Sequence, residues 1–147
     1  MWTQDLLRDC VFTRVSGQVV AGTSATDTSP IIDMQDWDGV LYVASISGVL
    51  NTSVVTLAIQ ENSLNSASGM TTISATQASY TNSSGSTQTG LIASQVYRPL
   101  LRYNRAVLTP ATANAAIDAI IAIQWRGRVN PANLLTNLLG YGYATGV

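Results

Sequence analysis

Val40-Leu41-Tyr42-Val43-Ala44-Ser45-Ile46-Ser47 alternates at period two, with Val40, Tyr42, Ala44 and Ile46 on one side and Leu41, Val43 and Ser45 on the other. After the connection Gly48–Ser53, the run Val54–Glu61 does the same, setting Val55, Leu57 and Ile59 against Thr56, Ala58 and Gln60. Side chains that switch sides at every residue are the signature of a half-buried strand. Two such runs joined by a short loop predict an antiparallel hairpin.

The rest of the chain reads outward from this pair as further β-structure. Upstream, Val11–Val20 predicts a strand or hairpin broken at Ser16-Gly17, and Gly22–Pro30 a polar loop. Ile31–Met34 predicts a short strand and Asp36-Trp37-Asp38-Gly39 a turn. Downstream, Asn62–Gly90 is poor in large apolar residues and predicts short strands near Thr71–Ser74 and Ala78–Tyr80. The stretch Tyr80–Gly90 within it reads as a surface loop. Gln95–Leu108 reads as a strand region interrupted by Pro99, which cannot donate to a ladder. Ala116–Arg126 predicts the last strand, with Ile117, Ala119, Ile121, Ile123 and Trp125 on one face and Asp118, Ile120, Ala122, Gln124 and Arg126 on the other. Asn130-Pro131 is a helix start, Leu134, Leu135, Leu138 and Leu139 then share a face, and Gly140 stops the helix. So short a helix is not stable alone; it packs on its own sheet or on a neighbouring subunit. The expected organisation is an N-terminal arm at 1–9, one all-β antiparallel sandwich at 10–129 and a C-terminal helix or arm at 130–147.

Composition argues against catalysis. The chain has no histidine, no lysine, one cysteine (Cys10) and one glutamate (Glu61), so most general-base and nucleophile arrangements have no residues to build them. Cys10 has no imidazole to activate it and reads as a structural thiol. Asp33, Asp36 and Asp38 cluster as calcium ligands do, but the regular loop order with a distal acidic ligand is missing. Turn formation is the preferred reading, and no metal or cofactor is expected. The net charge of -1 gives no basic excess for nucleic acid. No apolar run approaches the length of a membrane span, and the N-terminus lacks the order of a signal peptide. Charged residues are only 10% of the chain, which leaves a weakly defended surface and predicts cover by other protein in a homo-oligomer, dimer or trimer, or a larger assembly.

The candidate contacts are apolar residues near the ends and one arginine-rich strand. Trp2, Leu6 and Leu7 are anchors in the first arm, and Leu134, Leu135, Leu138 and Leu139 in the last. Arg98, Arg102 and Arg105 interleave with Tyr97 and Tyr103, a pairing over-represented at protein interfaces. On an extended strand Arg98 and Arg102 share a face and Arg105 takes the other. Internal salt bridges to aspartates on a neighbouring strand are the competing reading.

Two segments together carry a resemblance. Asp33-Met34-Gln35-Asp36-Trp37-Asp38-Gly39-Val40 introduces a strand, and some way downstream Tyr97-Arg98-Pro99-Leu100-Leu101-Arg102-Tyr103-Asn104-Arg105 precedes the final one. In order and separation they resemble the small structural proteins encoded with the head genes of tailed bacteriophages. The resemblance covers roughly residues 30–126; the Ser/Thr-rich middle and the Leu-rich C-terminal segment depart from it. It implies a jelly-roll-like sandwich that decorates or cements the capsid. Such a protein binds the major capsid protein on the outer surface of the virion after assembly in the host cytoplasm. A head–tail connector or tail component remains open, as does a carbohydrate-binding module using Trp37 and Tyr80.

Overall fold

The computed structural model describes residues 9–20 and 26–127. Ten strands run through them: β1 (Cys10–Ser16), β2 (Asp27–Thr28), β3 (Ile32–Asp33), β4 (Trp37–Val49), β5 (Val54–Asn62), β6 (Thr71–Thr72), β7 (Ala78–Thr81), β8 (Gln88–Tyr97), β9 (Tyr103–Ala111) and β10 (Ala115–Gly127). A 3-10 turn at Ser74–Thr76 precedes β7. The first sheet is ordered β1-β10-β4-β8. The second is ordered β2-β9-β5-β6, with β3 also on β9 and β7 also on β5. Every pairing is antiparallel. Taking β2 with β3, and β6 with β7, as interrupted single strands leaves eight strands, four to a sheet, that alternate between the sheets along the chain except at the step from β5 to β6/β7, which stays within the second sheet. That is the order of a jelly roll, so the expected all-β sandwich is what forms.

The predicted β4–β5 hairpin is not made. The two strands belong to different sheets: β4 lies between β10 and β8, and β5 between β9 and the β6/β7 edge. The reason is local. Thr52 sits at φ 70° and turns the chain out of the sheet plane. Its N–H donates to the Asn82 carbonyl at 2.8 Å instead of closing a two-strand ladder. The predicted turn at Asp36–Gly39 also moves. The Trp37 N–H closes back on Met34 at 3.1 Å, Gln35 and Asp36 are the turn, and Trp37 already begins β4.

Gly39 is therefore a strand glycine, and the reason for it lies across the ladder. It pairs with Trp125 of β10, whose ring lies over it: a Cβ there would stand 2.3 Å from Trp125 Cζ2. The inward rows follow the alternation read from the sequence. Val40, Tyr42 and Ala44 of β4 share a core with Val55, Leu57 and Ile59 of β5, all fully buried. The Tyr42 hydroxyl has no hydrogen-bond partner, and burial pushes its pKa well above the ordinary phenol range.

β10 departs from simple alternation. Its register against β4 shifts on both sides of Ile117, so Ile117 turns inward with Ile120 and Ala122 while Asp118 turns outward. Ser45 on the outer side donates to Asp118 at 3.1 Å. The outer row of β10 is then Ala119, Ile121, Ile123 and Trp125. The predicted surface loop after Tyr80 is only partly that. Asn82 is fully buried; its Nδ2 donates to the carbonyls of Val49 at 2.8 Å and Ser86 at 2.7 Å, and its Oδ1 accepts from the Ser84 N–H at 3.0 Å. Asn62 closes the earlier Ser-rich loop in the same way, on Ser66 and Ser68. Residues 1–8 of the N-terminal arm and the C-terminal helix lie outside the described residues.

Two substitutions test this account. Asn82→Ala leaves buried carbonyls without donors and should cost about 2–3 kcal/mol in urea unfolding. Gly39→Ala drives a methyl group into the Trp125 ring and should cost about 1–3 kcal/mol. Altered tryptophan fluorescence should accompany the second loss; an unchanged midpoint and spectrum would mean that the ring is not held over Gly39.

Candidate protein interface

At one end of the sandwich two sheet-changing connections lie side by side: Met34–Asp36, from β3 to β4, and Arg98–Arg102, from β8 to β9. They are stitched together by backbone. The Met34 N–H donates to the Arg102 carbonyl at 2.8 Å, and the Arg98 N–H to the Asp38 carbonyl at 2.6 Å. An open cleft of about 540 Å³ runs between them, lined by Met34, Trp37, Asp38, Arg98, Leu100 and Arg102, among others. The buried Glu61, the chain's one glutamate, accepts the Leu101 N–H at 3.1 Å, and Asn104 Nδ2 donates to the Leu101 carbonyl at 3.2 Å. The loop is thus fixed along its inner side. At its outer tip Leu100 is 90% exposed.

The three arginines read from the sequence do not share one strand. Pro99 falls in the loop, β8 and β9 enter different sheets, and each arginine meets a different fate. Arg102 holds Asp33 with two bonds, Nε to Oδ1 at 2.8 Å and the terminal amine to Oδ2 at 2.6 Å. This is the internal salt bridge named as the competing reading. The Arg102 guanidinium, helped by the Gln35 N–H, keeps the Asp33 carboxyl below the usual carboxylate range. Both partners are open to solvent, so the pair orders the cleft rim more than it stabilises the fold. Arg105 donates to Gln60 at 2.8 Å on the outer side of the second sheet. Only Arg98 stays available: its guanidinium stacks on Tyr97, 5.3 Å from the ring centroid, and forms no ion pair among the described residues.

Arg98 has a counterpart that sequence reading missed. Tyr97 and Trp125 stand on either side of Gly39 in one cross-strand row. Each is followed by an arginine in the left-handed region, Arg98 at φ 52° and Arg126 at φ 53°. Such a backbone is costly for a residue with a Cβ and takes the side chain out of the strand alternation. Arg126 reaches back to the Tyr97 hydroxyl at 3.5 Å and also lacks an ion pair among the described residues. Two guanidiniums therefore converge on one half-exposed tyrosine, three residues before the exposed Leu100. The repeated aromatic-arginine step, Tyr97-Arg98 and Trp125-Arg126, was the available signal.

The other sequence candidates are placed as follows. Trp2, Leu6, Leu7, Leu134, Leu135, Leu138 and Leu139 lie outside the described residues. Asp33 serves Arg102, and among the described residues no three Asp, Glu, Cys or His side chains come together as a metal site. Trp37 and Tyr80 line different cavities on different sheets. Cys10 is buried opposite Trp125, and burial, with Asp9 adding to it, raises its thiol pKa. No protein-family model and no curated protein matches the chain.

The ion pair gives a signed expectation. Because Asp33 titrates low in the folded chain, its contribution is complete above the unfolded carboxylate pKa and fades as pH falls through the folded value. Arg102→Ala should return the Asp33 pKa upward toward that of an ordinary aspartate. An NMR titration of the Asp33 carboxyl reads this directly, and an unmoved pKa would show that Arg102 is not what lowers it.

Proposed function

We propose that this chain is a non-catalytic decoration, or cement, protein of a tailed bacteriophage capsid, binding across junctions between major capsid subunits on the outer surface of the virion. The observation that carries the reading is the anchored loop that presents Leu100 on the cleft with Arg98, next to the Tyr97 on which Arg98 and Arg126 converge. Exposed aromatic and arginine side chains around an apolar prong are the usual make-up of a binding hot spot. A loop already held in place loses little further freedom on docking. Arginine suits planar, bidentate contact with a carboxylate on the partner. The two segments that resemble phage head proteins, Asp33–Val40 and Tyr97–Arg105, form the two walls of this one cleft. The jelly roll agrees with the reading but hosts many functions, so it adds little weight alone.

Cryo-electron microscopy of the particle that contains the chain tests the proposal. The expected result is density repeated over the shell, seated on subunit junctions with the Arg98–Arg102 loop inward. Density at a single vertex would move the protein to the connector or tail, and absence from the particle would overturn the virion reading. Leu100→Ala should keep the fold and weaken shell binding by roughly thirtyfold, the effect of losing a hot-spot side chain worth about 2 kcal/mol. Shell binding at wild-type affinity would remove the loop as the contact.

A further inference from the structure

The outer faces of the two sheets differ in chemistry. On the second sheet the outward side chains bond to one another: Thr56 with Ser79 at 3.1 Å, Gln60 with Thr72 at 3.3 Å and Arg105 with Gln60 at 2.8 Å. On the first sheet the outward rows are Phe12–Ile123–Leu41, closed on β8 by Gln95, and Arg14–Ile121–Val43–Ala93, with Leu91 one row on beside Ser45. Leu91 is 73% and Ile121 40% exposed. A contiguous apolar sheet face of this kind marks an interaction surface.

Two charged groups stand on that apolar ground. Arg14 lies across from Ile121, and its Nε donates to the Ser16 carbonyl at 3.1 Å. Asp118 is turned onto the same face by the β10 bulge and accepts from Ser45. Neither forms an ion pair among the described residues. A face with one cation and one anion is complementary to itself. In a twofold contact each residue that meets a second one is met in return.

We infer that the outer face of the β1-β10-β4-β8 sheet is a twofold self-association surface, whose occupant is the same face of a second copy, with Arg14 of each copy opposite Asp118 of the other. Four strands of this face cover roughly 500 Å² per copy and about 1,000 Å² for the pair, at the lower bound for a specific interface. A net charge of -1 sets almost no repulsion between copies. The inference does not depend on the capsid reading, which uses the loop end.

Sedimentation equilibrium of the full-length chain at micromolar concentration tests it. Wild type should be a dimer, and Ile121→Asp a folded monomer by circular dichroism. Arg14→Asp should weaken the dimer at least roughly tenfold. The exchange Arg14→Asp with Asp118→Arg should restore it, a readout that a general loss of stability would not give. A wild-type monomer or trimer would overturn the inference. So would an Ile121→Asp protein that remains dimeric, since another surface or the chain ends would then hold the copies together. Should Ile121→Asp fail to fold, the charge exchange decides alone: dimerisation that is indifferent to both charge variants excludes this face.

Discussion

The structure depends on satisfying backbone groups where the chain changes sheets. A jelly roll sends nearly every long connection across the edge of the sandwich, and there the ladder stops supplying partners for N–H and C=O groups. This chain supplies them mostly from buried uncharged side chains, with Glu61 on the Leu101 N–H as an exception. Ser29 accepts the Ala106 N–H, Ser53 donates to Ala113, Thr76 accepts the Ile59 N–H, Asn82 donates to Val49 and Ser86, and Gln124 donates to Asp33. Charged groups in those places would carry a large desolvation cost; hydroxyls and amides do not. The scarcity of charge and abundance of Ser, Thr and Asn, which look like a soft surface in composition, are partly an interior requirement.

This also explains how far the sequence could be read. Period-two alternation grouped Val40, Tyr42 and Ala44 on one face and Val55, Leu57 and Ile59 on one face, and the structure buries both rows. β10 has apolar residues on both sides, so alternation alone could not say which side is core, and the bulge at Ile117 then swapped two positions. The β4–β5 pair illustrates a different limit. Loop length suggests a hairpin, but pairing is decided by which strands arrive from elsewhere: β10 and β8 take both sides of β4, and β9 and the β6/β7 edge both sides of β5. Asn82 was hidden for a similar reason: a residue in a Ser/Gly run looks solvated until the distant carbonyl it serves, at Val49, is known. At the candidate site the Tyr97–Arg105 element was legible as a dense Arg/Tyr group, while the division of labour among its arginines was not. That division follows from Pro99 ending one sheet's strand and from Asp33 arriving beside Arg102.

The row Trp125–Gly39–Tyr97 links the two surfaces. It ends the apolar outer face and begins the arginine-flanked cleft, so one sheet carries both a broad apolar area and a narrow, charged, rigid rim. The absence of a side chain at Gly39 lets the large ring settle between strands instead of standing off them. Arg98 follows the last residue of β8, whereas the ladder passes over Arg126 and resumes at Gly127 opposite Trp37, so the local strain at each is held by adjacent strand pairing.

The placing of β1 beside β10 has a mechanical consequence. Cys10 pairs with Trp125, so the chain enters its first strand and leaves its last at the same end of the molecule, on adjacent antiparallel strands. Tension applied between those two points would pull the strands apart from that end, breaking the cross-strand bonds one after another, like a zipper. Load passed through the sheet faces would instead be shared by many bonds at once. A protein of this design resists force when it is gripped by its surfaces and yields when it is pulled by its ends.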